Sequence, residues 1–410
     1  MVHPQRAAGA RRRCLAVLAL TVVSTAATFP GASTRPETAP RWTGTWEAAP
    51  SGTAPALPDA SIRNVVHTSV GGGAVRVRIT NRLGTAPLRL DAVTVALQRP
   101  DAPASPDAVP GSLRTATFAG ATSVTVPPGQ DRVTDPVRLR VPADANLLVT
   151  VHTPTDCGPA TYHRTALQPN FLARHGNRAG DTGGAAYTTK VSHWYYVTGV
   201  DVLGPAAGSV VALGDSLTDG NGSTYGANHR WPDRLAQRLR AARPASGRPG
   251  VLNAGIAGNR LLRDGVGPSA LARLDADVLS RTGARTVIVL EGVNDLKGTP
   301  PLTDPGAFVR AYRRIVALAH AQGLRVVGAT LTPFGGNRGW TPAREGARRE
   351  INALIRGGLF DVVADFDAAV RDPARPDRIR PAYDQGDHLH FNDAGMKALA
   401  DAVDLAALTR

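Results

Sequence analysis

The apolar pattern of this chain changes period once, near residue 205, and that change restricts the folds open to it. Before it, apolar residues come in short runs without helical spacing. Val75, Val77 and Ile79 alternate with Arg76 and Arg78, the period-two mark of a half-buried strand. Further short runs stand at 88–90, 93–97, 124–126, 137–141 and 147–151. Turn-forming stretches such as Asn81 to Gly84 and Pro127-Pro128-Gly129 part them. The segment from Arg41 to Val202 is therefore expected to be an all-β sandwich or jelly-roll-like domain, with residues 100–111 as a surface loop inside it.

From residue 205 to 410 strands and helices alternate. Strands are expected at 209–213, 250–253, 286–290, 325–331 and 360–364. Helices are expected at 231–243, with Pro232 in the first turn, and at 271–279, 308–321, 343–355 and 393–407. Alternation of this kind predicts an α/β domain, a parallel sheet of right-handed βαβ units with helices on both faces. Ligands bind such sheets beyond the carboxyl ends of the strands, so chemistry is expected just after the first three. There is no internal repeat at a fixed period.

Charge is informative mainly for what it excludes. The chain of 410 residues carries a formal +14, which would ordinarily suggest a nucleic-acid partner. The cations are spread along the whole chain, however, apart from Arg11-Arg12-Arg13. Of 47 basic residues the only lysines are Lys190, Lys297 and Lys397, so the charge reads as background composition. No nucleic acid is expected; contact with anionic cell-wall or membrane surfaces is. At the N-terminus, Arg6 and Arg11 to Arg13 precede an apolar run from Cys14 to Val23 and the small residues Ser24 to Ala27. That is the pattern of a secretory signal peptide over residues 1–27, by a general or a twin-arginine route, followed by a flexible lead at 28–40. Its removal would take away four arginines and no acids, leaving +10 and an extracellular protein. Arginines precede Cys14, so no lipid anchor is expected. Cys157 would be the one remaining cysteine, which leaves no internal disulfide; it reads as a buried inert thiol.

Three polar clusters fall at the expected sheet edges, and a fourth lies further on. Gly214-Asp215-Ser216 follows the first strand, Asn253 to Asn259 the second and Gly292-Val293-Asn294-Asp295 the third, while Asp387-His388-Leu389-His390 precedes the last helix. Each alone has a plain structural explanation: Asp and Ser cap helices, glycines serve tight turns, and Asn-Asp turns a chain. Together they supply a hydroxyl, free amides, an imidazole and a carboxylate, the parts needed for acyl transfer through a tetrahedral oxyanion. Within the last cluster His388 competes with His390, and Asp384 or Asp393 with Asp387; the Asp-x-x-His spacing favours Asp387 with His390, leaving His388 turned away. Asp215 is expected to order the nucleophile loop. Gly-x-Ser-x-Gly is absent, which disfavours an ordinary α/β-hydrolase. No zinc spacing occurs, and His67, His152, His163, His175 and His193 are too dispersed to argue a metal site, so no metal or cofactor is expected. Trp194-Tyr195-Tyr196 reads as core at the junction of the halves, with a sugar-binding face as the alternative.

These four clusters, in this order over 209–410, resemble the GDSL/SGNH hydrolases. The resemblance implies a flavodoxin-like three-layer α/β/α domain and ester hydrolysis. It makes Ser216 of Gly-Asp-Ser-Leu the nucleophile and Asp387 and His390 the rest of a Ser-His-Asp triad. It places the Ser216 and Gly258 backbone N–H groups and the Asn294 side chain in the oxyanion hole. Phe391 stands where the family commonly has proline after the histidine, which is expected to alter the acyl pocket. The N-terminal half, with Trp46 and Arg230-Trp231-Pro232-Asp233, is similar to secreted actinobacterial members with an extra β-domain. The substrate is then an ester of a small molecule, a polysaccharide or a lipid, handled by a monomer. The alternatives are a lipase or phospholipase and, from another class, a non-catalytic binding protein on a hydrolase scaffold; transfer to an alcohol other than water also stays open.

Overall fold

The first strand of the parallel half, Ser209–Gly214, has neighbours on both sides, and this places the functional edge of the molecule. The five strands of this sheet are Ser209–Gly214, Gly250–Gly255, Ala284–Leu290, Arg325–Ala329 and Val362–Ala364. Their spatial order is second, first, third, fourth, fifth, and every pair is parallel. That is the flavodoxin-like order, and its switch point lies beyond the carboxyl end of the first strand. Val210 to Leu213 are fully buried, because both faces of the strand are covered. Helices Trp231–Ala242, Phe366–Val370 and Asp393–Asp401 pack together as one group, and Ala270–Leu274, Pro305–Ala321 and Pro342–Leu354 as another.

The computed structural model describes residues 39–408. The export signal expected at 1–27, Cys14 included, and all but the end of the 28–40 lead lie outside the described residues. Among the described residues, no helix is long and apolar enough to cross a membrane.

Several boundaries differ from the expected ones for local reasons. The helix expected from 308 begins at Pro305, because the Asp304 side chain accepts from Gly306 N–H and Pro305 suits a first turn. The closing helix stops at Asp401 rather than 407. Asp404 there captures the Ala406 N–H at 2.8 Å and starts a separate short turn, Leu405–Leu408.

The N-terminal half is strand-rich and antiparallel. One sheet orders Arg41–Glu47, Val197–Gly204, Ala74–Thr80 and Asp131–Val133. A larger one orders Thr189–Val191, Asn170–Arg174, Ala60–His67, Asn146–Thr153, Ala92–Leu97 and Arg114–Thr115. Apolar residues of both, among them Val75, Val77 and Val200 from the first and Ile62, Val149 and Val151 from the second, form a shared core. The run expected as a strand at 137–141 makes only isolated bridges, Val137 to Val75 and Val141 to Gly72. Pro136 and Pro142 bracket it and remove ladder donors.

The halves belong to one compact unit, Thr38–Arg410. Only Pro205, Ala206, Ala207 and Gly208 link them, and strand Arg41–Glu47 runs beside Gly250–Gly255. Gly44 N–H donates to Thr282 carbonyl at 3.0 Å, and Val251 N–H to Ser69 Oγ at 2.9 Å.

Candidate active site

Ser216 opens the short helix Ser216–Asp219 directly after the first parallel strand. Asp215 caps that helix, its Oδ1 accepting Leu217 N–H at 2.9 Å, so it orders the loop as expected. Opposite Ser216 lies the loop before the last helix. The Ser216 hydroxyl is 2.8 Å from His390 Nε2, and His390 Nδ1 is 2.6 Å from Asp387 Oδ2. A carboxylate only accepts, so Nδ1 carries the ring proton and Nε2 is left to take the one on Ser216. Asp387 Oδ1 is held in turn by the N–H groups of His390 (2.8 Å) and Leu389 (3.0 Å). Burial works to raise the Asp387 pKa; the two amides and the His390 ring outweigh it and hold the carboxyl at about 2.

The competing residues are committed elsewhere. His388 Nδ1 pairs with Asp384 Oδ2 at 2.6 Å, its ring against Gly336 and turned from Ser216. Asp393 takes His229 Nδ1 at 2.6 Å and the Thr224 N–H at 2.8 Å. Of the candidates in this segment, the structure brings Asp387 and His390 to the serine.

The second cluster folds over the same edge. A Cβ on Gly255 would lie 2.2 Å from the Asp219 nitrogen, so a glycine is required for the loop to approach. Gly258 has φ +83°, a left-handed conformation that glycine adopts without strain. Neither the Gly258 nor the Ser216 N–H donates to a protein group among the described residues. Asn294 lies in helix Val293–Lys297, and its Nδ2 donates to Asn259 carbonyl at 2.9 Å and, more weakly, to Asp215 Oδ2 at 3.3 Å. Both of its donors thus have protein acceptors at rest, and the longer bond is the weaker hold. Burial pushes the Asp215 carboxyl up to about 7, the Leu217 amide and Lys297 oppose this, and Asp295 reinforces it.

Other residues at this edge gave no signal in the sequence. Arg273 is buried and joins three segments: Nη2 to Gly214 carbonyl (3.0 Å), Nη1 to Ala254 carbonyl (2.6 Å) and Nε to Asn259 Oδ1 (3.0 Å). Asp219, from the nucleophile helix, accepts the Ala257 N–H at 2.8 Å and faces His163 of the β half at 3.0 Å. Lys297 lies half-buried near Asp215 and Asp387; burial pushes its ammonium down and the two carboxylates push back.

Two expectations resolve into core packing. Phe391 is fully buried in the apolar core of the parallel half, so it does not line an acyl pocket. Trp194, Tyr195 and Tyr196 are buried as well, and Trp194 meets Trp46 edge-on with ring centroids 5.1 Å apart, leaving no open sugar-binding face. Cys157 is buried and free. Among the described residues no group of three or more His, Cys, Asp or Glu is placed to hold a metal ion.

A doubly wound parallel sheet with a serine, histidine and carboxylate in contact at its switch point defines a class of hydrolase. Residues 212–398 match the GDSL-like Lipase/Acylhydrolase family, and the chain carries an ester-hydrolase domain of that kind. No curated protein matches the sequence. Among solved structures, the chain is similar to the native M. smegmatis aryl esterase (17% identity, 47% of this chain and 95% of that one, TM-score 0.38). It is also similar to the acetyl xylan esterase AlAXEase (22%, 47% and 96%, TM-score 0.37) and to the lipase/acylhydrolase from Enterococcus faecalis (20%, 47% and 92%, TM-score 0.38).

Proposed function

We propose that the protein is an exported serine hydrolase of carboxylic esters that works through Ser216, His390 and Asp387. The observation that carries this reading is the continuous set of contacts from Ser216 Oγ through the His390 ring to Asp387, at 2.8 and 2.6 Å. His390 takes the Ser216 proton as the oxygen attacks the ester carbonyl, and Asp387 fixes the tautomer and stabilises the imidazolium. The oxyanion is held by the Ser216 and Gly258 N–H groups, joined by Asn294 Nδ2 once its long bond to Asp215 yields. His390 then protonates the departing alcohol, and water activated by the same ring releases the acid. The N-terminal run of arginines followed by Cys14 to Val23 supports export.

The mature charge of +10 suits work at a polyanionic surface such as cell-wall polymer, and acyl groups on carbohydrate are the substrate we assign. A fluorophosphonate probe should label the wild type and fail to label Ser216→Ala; a labelled mutant would remove the serine from its role. A series of 4-nitrophenyl esters then reads the acyl group: turnover confined to acetate supports the carbohydrate assignment, and turnover rising with chain length replaces it with lipid.

A further inference from the structure

Two buried charge paths begin in the β half and end on the loops that carry the proposed oxyanion donors. The first starts at His163, in strand Ala160–His163. This residue is 3% exposed; its Nδ1 lies 2.7 Å from the Ala49 carbonyl and its Nε2 3.0 Å from Asp219 Oδ1. Both partners are acceptors, so both ring nitrogens carry protons and the ring is an imidazolium. Burial opposes that charge, but Asp219 beside it prevails and raises the ring above the ordinary histidine range. The other Asp219 oxygen accepts the Ala257 N–H at 2.8 Å, one residue before Gly258.

The second path starts at Arg82. Its Nη1 lies 2.7 Å from Asp277 Oδ1 and its Nη2 3.0 Å from Thr198 Oγ1. Asp277 Oδ2 is 3.2 Å from Arg273 Nη1, and Arg273 reaches the carbonyls of Gly214 and Ala254 and the Asn259 side chain. Arg281 adds a third cation to Asp277 and pairs with Glu47 at 2.7 Å. Charges this deep interact far more strongly than surface pairs; removing His163 leaves Asp219 buried without its ion-pair partner, and removing Arg82 takes one of three cations from Asp277.

We infer that the β half is a working part of the ester-hydrolysing site, with His163 and Arg82 as positioning residues. They hold the Ala257–Gly258 and Gly214–Ser216 segments where the oxyanion forms. The inference rests on the Ser216 reading above and gives the β half a task inside the reaction. A shift of about 1 Å in such a segment is enough to cost on the order of 10²-fold in rate.

The test uses the full chain with His163→Gln, Arg82→Gln and Arg82→Lys. For each, kcat and KM are measured on 4-nitrophenyl acetate, together with the inhibition constant of an alkylboronic acid, whose tetrahedral serine adduct needs the oxyanion donors. His163→Gln should lower kcat by about 10- to 100-fold, short of the roughly 10²–10³-fold cost of losing one donor outright, and weaken the boronic acid by a similar factor. KM should stay within about twofold, because ground-state binding is untouched. Arg82→Gln should move in the same direction, and Arg82→Lys, which keeps the charge facing Asp277, should recover most of the loss. A folded His163→Gln with wild-type kcat would overturn the inference. So would a kcat loss without the matching boronic-acid loss, which would make His163 a stability element only. If His163→Gln does not fold, the Arg82 pair decides by the same readouts. Ser216→Ala is assayed alongside: activity surviving there brings down the reading of the site itself. A dead Ser216→Ala beside an unimpaired His163→Gln brings down only the role of the β half.

Discussion

The loop before the last helix and the junction between the halves both contain a histidine paired with an aspartate, and the two pairs do different things. His390 lies 2.6 Å from Asp387 and His163 lies 3.0 Å from Asp219. The distinction is made at the other ring nitrogen. His390 presents it to the Ser216 hydroxyl, a group that gives and takes protons, and this is the contact the proposed mechanism uses. His163 presents it to the Ala49 carbonyl, which only accepts, so that ring is a fixed charge. His388 makes a third pair, 2.6 Å from Asp384, and reaches no hydroxyl. The contact between carboxylate and imidazole therefore identifies nothing by itself. In the proposed mechanism, what the far nitrogen faces separates the pair that moves protons from the pair that anchors a loop.

Three substitutions press on this contrast. The largest effect is expected from Asp387→Asn, which leaves the ring in place but no longer fixes its tautomer; steady-state kcat should fall by about 10⁴-fold. A loss under tenfold would show that His390 needs no carboxylate and would dissolve the contrast with His163. The next effect is on stability, and the two pairs should differ in sign. Asp387 is held down at about 2, below the ordinary 3.8, so its contribution is present above 3.8 and lost as pH falls through about 2. His163 is raised above 6.5, so its contribution is full below 6.5 and lost as pH rises through the elevated value. Thermal melts should show the deficit of Asp387→Asn shrinking from pH 4 to 2. The deficit of His163→Gln should shrink instead as pH climbs above 6.5. Matching directions would mean that one ring has been given the wrong charge. The smallest effect belongs to His388→Ala, for which kcat should stay within about twofold despite a pair as short as that of His390; a loss of tenfold or more would make that pair part of the reaction.

The parallel half was far more legible in the sequence than the β half, and the reason is physical. Strands buried on both faces, such as Val210 to Leu213, appear as unbroken apolar runs, and three of the four polar clusters of the site sit directly after one. In the β half, strand Ala60–His67 buries Arg63 and Asn64, which break the alternation that marks a strand. Arg63 is accommodated by Thr150 Oγ1 at 3.0 Å, the Pro106 carbonyl at 2.7 Å and the Tyr187 ring, none of them visible from its own neighbourhood in the chain. The run at 137–141 had the right period but lacked the donors that its flanking prolines remove. Ser216, Gly258, Asp387 and His390 could be found because each lies in a local motif. His163 and Asp219, or Arg82 and Asp277, meet only through the tertiary fold, 56 and 195 residues apart, with no local spacing to connect them. Phe391 shows the reverse failure: its position beside the histidine suggested an acyl pocket, and the fold uses it as core.

The two buried paths also bear on ancestry. If recombination replaced the β half with an unrelated segment, Asp219 would lose His163 and remain a charge inside a packed junction, while Asp277 would lose Arg82 and keep Arg273 and Arg281. A change at 163 is expected to be felt first at 219, and a change at 82 at 277. An exchange of the β half would therefore be registered at the nucleophile loop, although that half contributes none of the reacting atoms of the proposed mechanism.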